Sequence, residues 1–532
     1  MQAESYKTDV VVVGAGIAGI ITALLSLKKQ RKVILIDRDE ESQLGGLARW
    51  AFGGMALVGT PEQRLFGIHD TPEIALRDWH SIANFSEQDV WPKRWAHLYV
   101  ERSRPDVYDW LKRYRLGFLP AVNWVERGLY TPGNSVPRYH VLWGTGWALA
   151  ETFTKALMPF RISGALTILT HHRVDELMSE RGRICGCSGV REKVQRPFEV
   201  KADHIVIATG GFTGNLAKVR DHWPWGQAPE TLLNGAHPFS NGAMHEQVEK
   251  QGGVLTHMSD MWNYAAGIAH PKPKFPDQGL SLIPCKSALW LNHLGQRIGP
   301  DPLITGFDTT YLCQRVAAQE KPWTWQLLNK RIAEKELAVS GSEYNPLVRD
   351  KKFFKFMHEM LFGSKQLVSQ LQEESSDFVA ADSIYELSEK MNALTDRAYV
   401  DKNQLFETVL RFDENFERGK SQFNDDQIRR ILHAREWRSD KMRTCKPKPL
   451  LDKKAGPLMA IRLHLITRKS LGGIQTNLDS QVLDRAGKPI PGLLAVGEAS
   501  GFGGGGANGA KSLEGTFLSG CILTAQRAAA AI

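Results

Sequence analysis

Cysteine is scarce in this chain, six among 532 residues, and no two stand in a Cys-x-x-Cys spacing. That excludes a disulfide framework and leaves a structural zinc site without support; a reducing, cytoplasmic compartment fits best. Cys185 and Cys187 are two apart, but in an alternating segment where small residues read as half-buried strand positions. His171-His172 has no third ligand at a metal-binding spacing, so no metal is expected. Long apolar runs are also missing, and nothing reaches the roughly twenty residues of a membrane-spanning helix. The apolar start is preceded by Asp9 and interrupted by glycines, unlike an export signal. The net charge of +9 is not gathered into a tail. It comes in short groups such as Lys28-Lys29, or Lys351-Lys352 with Lys355, which read as solvated surface. Nucleic-acid binding is therefore not expected, whereas peripheral contact with an anionic membrane surface, or an acidic substrate, is compatible with the charge.

What is present is a dinucleotide signature at the start. Asp9 to Val13 contains four valines, the composition of a buried parallel strand. Gly14-x-Gly16-x-x-Gly19 follows, then a helical stretch from Ile17 to Leu27 and a second strand, Lys32 to Ile36, ending in Asp37. The first glycine permits a tight turn, the second a close approach to a pyrophosphate, and the third the packing of helix on strand. The free N–H groups of the helix start face the phosphates, and an acid about twenty residues on accepts from a ribose hydroxyl.

Two glycine pairs spaced eight apart, Gly45-Gly46 and Gly53-Gly54, come next and suit backbone lying close to an extended ligand. Residues 70 to 116 read as helical with many core tryptophans, and 123 to 146 as a long loop containing Tyr130. Ala148 to Leu157 reads as a helix. Val174 to Leu177, Ile184 to Val190 and Phe198 to Val200 read as a meander, with a separate strand from His204 to Ala208 entering Thr209-Gly210. Composition shifts after Pro271: 275–445 reads as an inserted, helix-rich second domain between 1–274 and 446–532, with a lysine- and proline-rich linker at 446 to 457. Gly492 to Glu498 reads as a buried strand ending in an acid, and Ser512 as the start of a C-terminal helix. Gly501-x-Gly503-x-x-Gly506 repeats the dinucleotide spacing, but only 26 residues follow it, too few for a second nucleotide unit.

In this order the segments VVVGAGIAG, GGLARWAFGG, HIVIATGGF, LGGIQTNLDSQVLD and GLLAVGEASGFGGGGANGAKSLEGTFLSG resemble the FAD-dependent family that contains fumarate reductase and succinate dehydrogenase flavoproteins, L-aspartate oxidase and 3-ketosteroid Δ1-dehydrogenase. The resemblance runs nearly end to end. It implies an α/β fold: a Rossmann-like FAD-binding domain with an inserted α+β capping domain for the substrate. It further implies that Gly14, Gly16, Ala18 and Gly19 hold the pyrophosphate and that Asp37 and Arg38 lie at the adenosine ribose. Gly45, Gly46, Gly53 and Gly54 would follow the phosphates, ribityl chain and flavin. Ala208, Thr209 and Gly210 would border the adenosine half, Gly497 and Glu498 the ribityl chain, and the backbone of Ser512 and Leu513 the flavin N1/C2 carbonyl. Relatives with a covalent flavin use a histidine in the stretch matching Gly46 to Trp50; this chain has none there, so the FAD is expected to be non-covalent.

On the substrate side the chain departs from the fumarate reductases. Their His-Thr-Met-Gly-Gly motif is matched by Lys469 to Gly473, and their clamping arginine by Lys511; a lysine cannot give the bidentate clamp of an arginine. Ketosteroid dehydrogenases use a Tyr-Pro-Gly-Gly-Gly segment, matched here by Phe502 to Gly506, whose last N–H would polarise a ketone. Tyr130 and Tyr311 are counterparts of the proton-abstracting tyrosines. The expected activity is oxidation of a carbonyl-activated CH–CH bond in an apolar, steroid-like ketone, with Trp143, Trp262 and Phe502 as apolar surroundings. The rivals are reduction of a small unsaturated acid, drawing on Lys469 and Lys511, and a flavin-binding sensor without turnover. With no second nucleotide fold, electrons would leave to a quinone, a carrier protein or oxygen.

Overall fold

The computed structural model describes residues 3–532. They fall into two compact units. One comprises residues up to Pro224, Ala236–Trp262 and Arg468–Ile532; the other comprises Trp225–Gly235 and Asn263–Thr467.

The first unit is built on the valine strand. β1 (Glu4–Val13) is followed by α1 (Ile17–Lys28) and β2 (Val33–Ile36), and after a long helical excursion α2 (Thr145–Ile162) returns the chain to β3 (Leu166–Leu169). β4 (Arg196–Ile207) and β5 (Pro489–Ala495) complete a parallel sheet in the order β5-β4-β1-β2-β3, edged by the antiparallel strand Gln481–Leu483. Strand residues alternate between faces, so a sheet covered on both sides needs apolar residues at every position. Val10 and Val12 pack with Ile20, Ile21 and Leu24 of α1. Val11 and Val13 pack into the opposite core with Val174, Leu177 and Val248.

Three expectations are corrected here. The third meander strand and the strand at His204 are one strand, β4, which pairs antiparallel with Arg183–Arg191 through Arg196–Lys201 and parallel with β1 through Ile207. The helix expected at Ala148 begins at Thr145 and runs to Ile162. The C-terminal helix, α3 (Thr516–Ala531), starts four residues after Ser512 because Gly515, at φ 102°, sits at its N-cap in a conformation closed to most side chains.

The second unit also contains a large sheet where 275–445 read as mostly helical. Leu458–Ser470 is its central strand, pairing with Trp323–Asn329 and Phe378–Ala381. Met261–Ala269 lies in the same sheet. These strands extend the unit to Asn263–Thr467, on both sides of the expected 275 and 445 boundaries. Its helices include Ile384–Ala393, whose Ser383 cap accepts from the Glu386 N–H at 3.2 Å, Lys402–Asp413 and Asp426–Glu436.

Candidate active site

The turn after β1 is closed by contacts that leave room only for hydrogen at two glycines. A Cβ on Gly14, at φ 102°, would lie 2.4 Å from the Ala208 carbonyl oxygen, and one on Gly19 would lie 1.9 Å from the Gly14 oxygen. Gly16 differs: its nearest neighbour would be 4.0 Å away, so the middle of the turn faces open space. The Asp37 carboxylate ties the turn down, accepting from the Ala15 N–H at 2.5 Å and the Asp39 N–H at 2.8 Å. Removal from water pushes its pKa up. Arg38 reaches away to Glu192, which it grips through two nitrogens at 2.8 and 2.9 Å, and lies over the Phe239 ring. Gly45 donates to the Ala15 oxygen at 2.8 Å, which lays Gly46 against Gly16.

Around this turn, accessibility separates the glycines. Gly45 and Gly53 are buried because a Cβ would strike Ala150 and the Thr145-Gly146 backbone respectively, and a Cβ on Gly497 would strike Ala18. Gly54 is needed by the Tyr139 ring, whose hydroxyl would lie 1.9 Å from a Cβ. By contrast Gly14, Gly16, Asp37, Gly46, Thr209, Gly210 and Glu498 all stay partly accessible beside buried neighbours. They lie at the carboxyl ends of the strands, the usual ligand position in such sheets.

A polar cluster is built around Glu498 in the same unit. Glu498 accepts from the N–H and hydroxyl of Ser470 at 2.9 and 3.3 Å, and a Cβ on Gly211 would collide with its carboxylate. Desolvation raises the Glu498 pKa to about 7, and desolvation lowers that of Lys469 to about 8. The Lys469 ammonium lies 4.2 Å from the centre of the Phe517 ring. Glu514 accepts from the Trp262 indole N–H at 2.6 Å. Phe502 and Phe517 stack at a tilt, 5.0 Å apart. Glu514 and Arg468 were not among the expected residues, and Trp262, expected only as an apolar surrounding, is the hydrogen-bond donor to Glu514. The adjacent Arg468-Lys469 pair near the end of the largely apolar strand LMAIRLHLITRKS was the available signal.

The glycine run from 501 to 506 closes on itself in turns. Gly503 and Gly505 donate to the Ser500 oxygen, and the Gly506 N–H donates to the Gly503 oxygen at 3.2 Å. The N–H expected to polarise a ketone is thus turned inward in this arrangement. The run is pressed against Trp95, which a Cβ on Gly503 would meet at 2.5 Å, and the Trp79 indole holds the Ala507 oxygen at 2.9 Å. On the other side, a Cβ on Gly506 would strike His257, whose ring is clamped between Asp260 (2.8 Å) and Asp89 (2.7 Å). The hydrogen bond to Asp260 is the largest of the influences that hold the His257 pKa up at about 9.

Ser512 and Leu513 are buried ahead of α3. The Ser512 hydroxyl donates to Asn508 Oδ1 at 3.0 Å, and Thr516 does so at 2.8 Å, while Asn508 Nδ2 is buried with no partner. Lys511 is half-buried. Tyr130 lies on the 123–138 loop with 59% of its surface exposed. Tyr311 belongs to the second unit, where its hydroxyl donates to Asp301 at 3.3 Å.

A family model described as an FAD binding domain matches residues 9–518. The chain belongs to this family. FAD is accordingly its cofactor, and the site is that of an FAD-dependent dehydrogenase fold. A KsdD-like steroid dehydrogenase of Mycobacterium tuberculosis is 39% identical over 547 aligned positions, covering 99% of this chain and 96% of that protein. Among solved structures, the 3-ketosteroid Δ1-dehydrogenase of Sterolibacterium denitrificans superposes with a TM-score of 0.72 at 16% identity, over 99% of this chain and all of the other. The open conformation of a flavocytochrome c3 fumarate reductase gives 0.71 at 20% identity, over 99% of this chain and 78% of that one. Both share the fold.

The residues present fit the cofactor. The open side of Gly16 and the partly accessible residues at the carboxyl ends of the strands suit a dinucleotide, and the buried Asn508 amide has a donor left for a hydrogen-bonding ring system. No helix of the described residues is long and apolar enough to cross a membrane.

Proposed function

We propose that the chain dehydrogenates a carbonyl-activated C–C bond in an apolar, steroid-like ketone. The observation that carries this reading is the full-length likeness, 39% over 99% of the chain, to a KsdD-like steroid dehydrogenase. When bound, FAD supplies the two-electron acceptor for hydride. In this reading the turn at Gly14 to Gly19 and Asp37 hold the adenosine half, Glu498 accepts from the ribityl chain, and Asn508 offers its amide to the ring system. No histidine stands in the 46–50 stretch, which favours non-covalent attachment.

The surroundings of Lys469 support a ketone over a dicarboxylate. Its ammonium is desolvated against Phe517, with Phe502 and Trp262 nearby in the same unit, and a lysine cannot hold a carboxylate in two parallel hydrogen bonds. Tyr130 and Tyr311 are the two candidates to take the proton activated by the carbonyl. Electrons then pass to a separate acceptor, a quinone, a carrier protein or oxygen. The second reading, reduction of a small unsaturated acid, draws on Lys469 and Lys511, with Arg468 beside Lys469 in the chain. Anaerobic mixing of the purified FAD-loaded protein with a 3-ketosteroid tests the first: bleaching of the oxidised flavin band supports it, and bleaching with none of a panel of cyclic ketones sinks it.

A further inference from the structure

The described residues include fourteen large apolar side chains that are strongly exposed, and four of them sit in one ten-residue helix of the second unit, Phe353–Phe362. Phe354 is 88% exposed, Phe362 65%, Leu361 59% and Phe353 46%; no residue of the helix is fully buried. Positions 354, 358, 361 and 362 recur at the helical spacing, so Phe354, Leu361 and Phe362 form one stripe, with His358 against Phe362 at 4.7 Å. Folded proteins rarely leave such a stripe in water. Its flanks are basic. Lys351, Lys352, Lys355 and Lys365 are all exposed, and Lys335 reaches the carbonyls of Met360 and Leu361 at the end of the helix. The only acid between Lys351 and Lys365 is Glu359, which is half-buried, and the neighbouring Asp350 is engaged by Arg349.

We propose that this helix docks the protein reversibly on an anionic phospholipid surface, with the Phe354, Leu361 and Phe362 side chains entering the interface and the lysines facing the headgroups. The combination of projecting aromatic and aliphatic side chains with a ring of lysines is that of an interfacial helix. A second copy would set these lysines against its own, and the rim, in which Asp350 is the exposed acid between Arg349 and Lys352, is predominantly basic; an acidic protein partner in place of lipid would leave the protein unbound to the vesicles used below. The inference does not rest on the substrate reading.

Vesicle co-sedimentation of the full-length FAD-loaded protein tests it, with phosphatidylcholine vesicles with and without phosphatidylglycerol. The wild type should bind the anionic vesicles and weaken with salt. The Phe354→Ser/Leu361→Ser/Phe362→Ser variant should lose about tenfold or more in partitioning. Lys351→Glu/Lys352→Glu/Lys355→Glu should lose the preference for anionic lipid. A control, Leu65→Ser/Ile162→Ser, removes two isolated side chains that are 76% and 87% exposed and should bind as the wild type does. Flavin absorbance checks that each variant is folded. Failure to bind anionic vesicles, unchanged binding by the apolar variant, or a wild-type oligomer that the apolar variant dissolves would each overturn the proposal.

Discussion

Replacing Lys469 by methionine should stabilise the protein, and the gain should vanish at high pH. Desolvation lowers the ammonium's pKa from 10.5 to about 8. A depressed lysine pKa means that the unfolded chain binds more protons than the folded one between those values, so stability rises as pH climbs through that window. Below pH 8 the folded state carries the full penalty, on the order of 3 kcal/mol for such a shift, reduced to about 1–3 kcal/mol because Lys469 is not sealed from solvent. Methionine keeps the length and the contact with Phe517 without the charge. Urea midpoints followed by tryptophan fluorescence, for wild type and Lys469→Met between pH 7 and 10, report on the group together with Glu498, whose carboxylate the lysine charge favours. The variant should lead at pH 7, and the two curves should converge towards pH 10. Parallel curves across this range, or a variant less stable at pH 7, would refute the claim that Lys469 is held desolvated beside an aromatic ring.

Gly14→Ala should yield protein with little or no bound FAD, seen in its flavin absorbance, because the new Cβ would sit 2.4 Å from the Ala208 oxygen at a φ of +102°. His257→Gln should lose stability that the wild type holds fully below about pH 6.5 and gives up as pH rises through about 9; at pH 6 the loss should be roughly 2–3 kcal/mol, and above pH 9 the two proteins should unfold alike. Of the two tyrosines, Tyr311→Phe should lower kcat on a ketosteroid by about a hundredfold or more with KM little changed, and Tyr130→Phe by much less, since Tyr130 is mostly in solvent; steady-state kinetics decide.

The parts of the site that were legible in the sequence are those made by neighbours along the chain. Four valines, three glycines and an acid within thirty residues specify strand, turn, helix and the Asp37 tie, because each demand is local. The position of Glu498 was legible for the same reason, as an acid at the end of an apolar strand, whereas its bond to Ser470 was not. The contacts that were not legible join distant segments: His257 reaches Asp89 across 168 positions, and Trp262 reaches Glu514 across 252. Nothing in either neighbourhood announces its partner. Glycine patterns were ambiguous in a different way. Gly45, Gly46, Gly53 and Gly54 read alike, yet Gly46 alone lies over the open turn while the other three make room for protein atoms. The glycine run at 501 to 506 was expected to offer the Gly506 N–H, but that group donates to the Gly503 oxygen, and the Gly504 N–H donates to the Thr476 hydroxyl. The sheet of the second unit escaped notice because its central strand, Leu458–Ser470, follows the 446–457 linker in a stretch read as already belonging to the first domain.

The central claim, oxidation of a ketosteroid at the flavin, is tested most directly by paired steady-state assays of the FAD-loaded protein. One assay supplies a 3-ketosteroid with an oxidised dye, the other fumarate with a reduced dye. Turnover of the ketosteroid without turnover of fumarate is the predicted result; turnover of fumarate alone would contradict it.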